Sequence, residues 1–141
     1  AQESRGLGDV YKRQVTKDIH VIRDATRGGV GTVLYEIAGQ SGVGIHLDRT
    51  SIPVDPAVKG VCGMLGLEPL YLACEGRLVV FAPAEKAPHI VEALRQGPYS
   101  KEAAIIGSVT ADHPGRVIVR TEIGAETVLP APGGELLPRI C

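Results

Sequence analysis

Hydrophobic positions between residues 19 and 129 fall into short blocks whose spacing switches between a strand period and a helix period. Ile19-His20-Val21-Ile22 is a short β-type run. Val30, Val33, Leu34, Ile37 and Ala38 then recur at i, i+3, i+4, i+7 and i+8, the stripe of an amphipathic helix, with Gly39 and Gly42 to end it. Val43 to Leu47 alternates apolar with polar or small side chains and predicts a strand. Asp55 is a good N-cap and Pro56 suits a first helical position, so a second helix runs from there to about Leu65 and stops at Gly66. Leu70-Tyr71-Leu72-Ala73 reads as a buried apolar run, interrupted by Cys74-Glu75-Gly76. Residues 78–81 predict a central strand. A third helix starts at Pro83-Ala84-Glu85, continues to about Gln96 and is closed by Gly97-Pro98. A strand over 103–109 follows. Pro114-Gly115 marks a turn, and residues 116–121 and 126–129 read as two hairpin-linked strands. The order is β-α-β-α-β-α-β-β-β, a mixed α/β sheet rather than a purely parallel one.

The two ends lack these periods. Residues 1–17 show neither helix nor strand spacing and read as a linker or a segment foreign to the fold. One domain is expected over 18–129. Leu129-Pro130-Ala131-Pro132-Gly133-Gly134 carries two prolines and two glycines, which cannot continue a helix and make a poor strand. Residues 130–141 therefore read as a mobile tail ending in Pro138-Arg139-Ile140-Cys141. Fully extended, it spans roughly 40 Å. Such reach suits a thiol that visits more than one site; a frayed end that happens to carry a cysteine is the other reading.

Composition narrows the class. The chain has 141 residues, enough for one domain with a real core. One Phe, four Tyr and no Trp leave that core aliphatic. A net charge of −1 argues against a nucleic-acid or membrane-surface protein. No apolar run is long enough to span a bilayer, and no signal peptide is visible. The three cysteines, Cys62, Cys74 and Cys141, are an odd number without CxxC spacing. That argues against a disulfide framework and a structural zinc, and points to a reducing cytoplasm.

Three places carry candidate chemistry. Asp24-Ala25-Thr26-Arg27-Gly28-Gly29 lies between a strand and a helix N-terminus. There, glycines let backbone N–H groups approach an anion and the helix dipole favours negative charge. Thr26 can cap or donate and Arg27 can pair with phosphate. The spacing is neither a P-loop nor a Rossmann fingerprint. A tight glycine turn with Asp24 as a structural cap explains the same residues. Glu75 lies between two apolar runs. Facing a cleft and buried, it would be a general base near neutral pH; on an exposed turn it would be an ordinary carboxylate. Cys141 is the third. The α-carboxylate beside it raises a thiol pKa and Arg139 offsets this in part, so activation has to come from a partner's site. Cys62 and Cys74 read as small core residues. The four histidines show no ligand spacing.

Together, the stretch from Arg23 to Val30, the turn Tyr71-Leu72-Ala73-Cys74-Glu75-Gly76-Arg77 and the terminal Pro138 to Cys141 closely resemble the HypE family of hydrogenase expression/formation proteins. The resemblance runs from about Ile19 to Cys141, and the terminal motif is its most specific part. The glycine motif is shared with the wider aminoimidazole ribonucleotide synthetase-like superfamily. The resemblance implies a three-layer α/β/α domain with partial ferredoxin-like topology, the C-terminal domain of a two-domain protein. It also implies an ATP-dependent carbamoyl dehydratase. A carbamoyltransferase partner loads a carbamoyl group onto Cys141. ATP activates the carboxamide oxygen, and dehydration leaves a thiocyanate. The cyano group then passes to an iron-scaffold complex for the [NiFe] hydrogenase centre. By this analogy Cys141 is the carrier and Glu75 the base. Asp24, Thr26, Arg27, Gly28 and Gly29 line the phosphate side. The upstream domain supplies most of the ATP and Mg contacts and a homodimer is expected. Cys74 stands where family members commonly have Asn. Other enzymes of the superfamily, of the selenophosphate synthetase or thiamine-monophosphate kinase type, share the glycine turn without a functional terminal cysteine. A non-catalytic anion-binding or dimerisation module is the remaining alternative.

Overall fold

The computed structural model describes residues 19–25, 27–72 and 77–133. Its elements follow the expected order: β1 (Val21–Asp24), α1 (Gly29–Ser41), β2 (Gly44–Asp48), α2 (Pro56–Leu65), β3 (Leu78–Phe81), α3 (Ala87–Arg95), β4 (Gly107–Thr110), β5 (Val117–Arg120) and β6 (Glu126–Val128). Single 3-10 turns at Arg49–Ser51 and Pro69–Tyr71 precede α2 and β3.

The mixed α/β class holds, but the strands divide into two sheets. Four strands run in the order β4-β2-β5-β6, with β2 and β5 parallel and the outer pairs antiparallel. A separate antiparallel ribbon joins β1 to β3, pairing Asp24 with Leu78 and Val21 with Phe81. β3 is therefore no central strand: among the described residues it pairs with β1 alone, and Leu78 is 37% exposed. A continuous apolar run signals burial, not how many neighbours a strand has. The strand expected over 103–109 is observed as Gly107–Thr110, paired with β2 from Leu47↔Gly107 to Gly44↔Thr110, with one further bond in the same register from Asp48 N–H to the Ile106 carbonyl.

Helix α1 is the keystone of the core. Val33, Leu34, Ile37 and Ala38 are buried, as their spacing predicts, against Ile45, Leu47, Val117 and Val119 of the four-stranded sheet. Each buried aliphatic side chain contributes about 1.5–3 kcal/mol relative to exposure. Gly39 lies within the helix and Gly42 closes it, in left-handed conformation with its N–H on the Ala38 carbonyl. Helix α2 starts where its cap signal puts it: the Asp55 carboxylate accepts from Ala57 N–H at 2.8 Å, Pro56 opens the helix and Gly66 ends it. Cys62 is its buried residue, a small core side chain as expected. In α3 the first helical residue is Ala87, and Pro83 to Lys86 form a turn in which the Pro83 carbonyl accepts from both the Lys86 and the Ala87 N–H groups.

Candidate functional site

β1 delivers Asp24 to the mouth of α1. The chain then turns through Gly28 (φ 71°) and Gly29 (φ 69°), both left-handed. A side chain at either position would be strained, and at Gly29 there is no room for one. A Cβ there would lie 2.4 Å from the Leu72 carbonyl oxygen and 2.5 Å from that of Leu70. Gly28 is the N-cap of α1 and offers no side chain to it, and the first turn carries no acidic residue. Thr32 Oγ1 donates to the Gly28 carbonyl at 2.8 Å, which braces the turn from within. The leading N–H groups of α1 thus keep their donor capacity and positive dipole end, the arrangement that favours an anion. Arg27 is exposed beside them and makes no ion pair with any described residue. Asp24 Oδ1 is buried and has no hydrogen-bond partner among the described residues. A buried carboxylate oxygen left so is costly, which suits a cation or donor brought to the turn.

Of the residues singled out from sequence, Asp24, Arg27, Gly28 and Gly29 come together here. Thr26, Glu75 and Cys141 lie outside the described residues, as do Cys74 and the segment 1–17. The flanks of 73–76 are placed, however, and both abut the glycine turn. On one side the Leu72 carbonyl lies over Gly29. On the other the Arg77 carbonyl accepts from Ala25 N–H at 3.1 Å, while Arg77 Nη1 donates to the Pro53 carbonyl at 3.4 Å. Residues far apart in sequence are thus drawn to one edge.

Sequence reading missed a cluster around Tyr71. Its ring lies on Gly31, where a Cβ would come within 2.7 Å of Cε1. Its hydroxyl donates to the Pro130 carbonyl, and the hydroxyl of Tyr35 on α1 donates to the Leu129 carbonyl. Burial, then the neighbouring Tyr35 and Glu68, push the Tyr71 phenol up to about 12, so it remains a proton donor well beyond neutral pH. The turn carrying Tyr71 is itself held. Glu68 accepts from Leu70 N–H at 3.3 Å and receives a two-pronged bond from Arg49, at 3.0 and 2.9 Å. That bond raises the Arg49 pKa. No local pattern could have shown this: Tyr35 and Leu129 are 94 residues apart.

An α/β domain with a left-handed glycine pair opening an uncapped helix is built to receive an anion at that helix end, and comparison gives the class of domain. The chain belongs to the AIR synthase related protein, C-terminal domain family, whose model matches residues 7–120. Within it, the chain is 48% identical over 124 residues to carbamoyl dehydratase HypE of Azotobacter vinelandii, covering 88% of this chain and 36% of that protein. It is 46% identical over 141 residues to carbamoyl dehydratase HypE of Cupriavidus necator, covering 99% and 40%. A crystal structure of hydrogenase maturation protein HypE superposes with TM-score 0.83 at 46% identity, over 92% of this chain and 42% of that one. HypE in complex with ATP gives TM-score 0.79 at 46% identity, over 88% and 38%. A HypE–HypF complex gives TM-score 0.81 at 37% identity, over 86% and 39%. The chain therefore spans about two fifths or less of the length of the relatives it matches. Among its described residues no helix is long and apolar enough to cross a membrane.

Proposed function

We propose that this chain is the C-terminal part of an ATP-dependent carbamoyl dehydratase of [NiFe] hydrogenase maturation, acting in the cytoplasm. The observation that carries the reading is the convergence at one edge. The uncapped glycine N-terminus of α1 and both flanks of the segment holding Glu75 meet there, and Tyr71, whose ring lies on Gly31, ties in the Pro130 carbonyl. ATP turns the carboxamide oxygen of an S-linked carbamoyl group into a phosphate leaving group. The chain's own residues do the rest. The α1 N-terminus and Arg27 bind phosphate, with Gly28 and Gly29 letting it approach the backbone and Thr26 adding a hydroxyl. Asp24, whose Oδ1 has no hydrogen-bond partner among the described residues, suits the Mg that accompanies ATP. Glu75 takes protons from the carboxamide nitrogen as the C–O bond breaks and C≡N forms. The sulfur of Cys141 holds the group throughout, so the net change is ATP and thiocarboxamide to ADP, phosphate and thiocyanate.

The similarity to chains solved with ATP and with HypF supports nucleotide use and a carbamoyltransferase partner. An iron-scaffold acceptor and a homodimer of the full-length protein complete the proposal. The test uses the full-length protein with its carbamoyltransferase and intact-protein mass spectrometry. Carbamoylation is expected on Cys141 alone and to vanish in Cys141→Ala. Glu75→Gln is expected to load normally and to dehydrate at least a hundredfold more slowly, the usual worth of a positioned base. A carbamoyl adduct persisting in Cys141→Ala removes the carrier assignment, and normal cyanation in Glu75→Gln removes the base.

A further inference from the structure

The glycine turn takes its position from a second turn packed on it. Leu70, Tyr71 and Leu72 all touch the start of α1. The Leu70 and Leu72 carbonyls lie over Gly29, and the Tyr71 ring lies on Gly31. A Cβ at either glycine would collide with them, so the contact has no slack. A shift of the second turn therefore carries the backbone N–H groups at the mouth of α1 with it.

What holds the second turn is then part of the site's geometry. Leu70, 4% exposed, roots it in the core. The segment leading into it gives little support, since α2 buries only Cys62. The firmer support comes from the four-stranded sheet, through one ion pair. Arg49 directly follows β2 and opens the 3-10 turn Arg49–Ser51. Asp48 caps that turn, accepting from Thr50 N–H at 3.0 Å and from Thr50 Oγ1 at 2.7 Å. From this base Arg49 Nη1 and Nη2 donate to Glu68 Oε1 and Oε2 at 3.0 and 2.9 Å. Glu68 Oε1 also accepts from Leu70 N–H at 3.3 Å. One carboxylate is thus gripped from the sheet and caps the turn that covers Gly29. A two-pronged guanidinium–carboxylate bond fixes direction as well as distance. At 29% and 27% side-chain exposure the pair adds little to global stability; its consequence is where the second turn sits.

We propose that Arg49 and Glu68 are positioning residues for the candidate site: through the backbone of residues 69–72 they set the angle at which the glycine turn presents its N–H groups to the phosphates of ATP. The inference rests on the phosphate-site reading of that turn. It adds two residues, remote from it in sequence, on which the site's affinity depends. Both act through the backbone they hold rather than by contact with the nucleotide. Hydrogen bonds to a charged acceptor weaken steeply with angle, so loss of alignment in one of them costs about tenfold in affinity.

The experiment takes the full-length protein with Arg49→Met, Glu68→Gln and both together. Glu68→Gln keeps an acceptor for Leu70 N–H and removes the charge that Arg49 grips. Binding of ATP with Mg is measured by titration calorimetry at a temperature where every variant is fully folded, so that lost stability alone leaves the affinity unchanged. Each single variant is expected to raise the Kd for ATP about tenfold. The double variant should be no weaker than the weaker single one, because both changes break the same bond. Lys59→Gln, which removes the exposed ion pair with Glu122, should leave the Kd within about twofold. Unchanged affinity in both single variants would overturn the proposal, and so would losses that simply add in the double one. Arg27→Ala separates this from the reading beneath it. If Arg27→Ala weakens ATP binding while Arg49→Met and Glu68→Gln do not, the phosphate site stands and the positioning role falls. If Arg27→Ala binds ATP as the unsubstituted protein does, the phosphate-site reading falls and the positioning role with it.

Discussion

Helices α1 and α2 are opposites. Both end in a left-handed glycine that returns its N–H to the helix. At the other end they differ. α2 starts on Asp55, whose carboxylate caps it at 2.8 Å, while α1 starts on Gly28 and has no side-chain cap. Along their lengths the contrast reverses. α1 buries six residues against the sheet and the 69–71 turn; α2 buries Cys62 and leaves Val61 54%, Leu65 67% and Met64 88% exposed. A helix held down by packing can leave its N-terminus open for a ligand. A helix with little packing depends on its cap. α1 gives up a cap worth about 1 kcal/mol because burial of its body more than offsets the loss, and the open end is what an anion needs.

The contrast can be pressed with three substitutions. Leu34 is 2% exposed at the middle of the α1 interface. Leu34→Ala is expected to lower the unfolding free energy by about 2–5 kcal/mol, the range for a buried leucine truncated in a packed core. Urea denaturation measures it, and a loss under 1 kcal/mol would mean that α1 is not the keystone. Next in size, Asp55→Ala removes the one side-chain cap of α2. The expected loss is about 1 kcal/mol, accompanied by faster amide exchange confined to α2; exchange unchanged across residues 56–65 would show that packing, not the cap, holds it. Smallest is Met64→Lys on the exposed side of α2. It should leave stability within about 0.5 kcal/mol of the starting chain. A loss of several kcal/mol would place Met64 in a packed environment and erase the difference between the helices.

The sequence by itself determined the order of elements, the ends of α2 and the face that α1 buries. Those rest on local rules: the cap and proline at Asp55-Pro56, the glycine stop at Gly66, and a stripe that only a 3.6-residue period satisfies. It also brought Asp24, Arg27, Gly28 and Gly29 together, because they are neighbours in the chain. The tertiary structure decided what depends on distant partners. It split the strands into two sheets and left β3 on a two-stranded ribbon, since an apolar run specifies burial but not its neighbours. It made Gly29 indispensable by laying the Leu70 and Leu72 carbonyls over it, a crowding no turn motif announces. And it chose Tyr35 and Tyr71 to hold the Leu129 and Pro130 carbonyls. A phenol's hydrogen-bond partner is fixed by where the folded backbone passes, and residues 59 and 94 positions apart meet only when the core has closed.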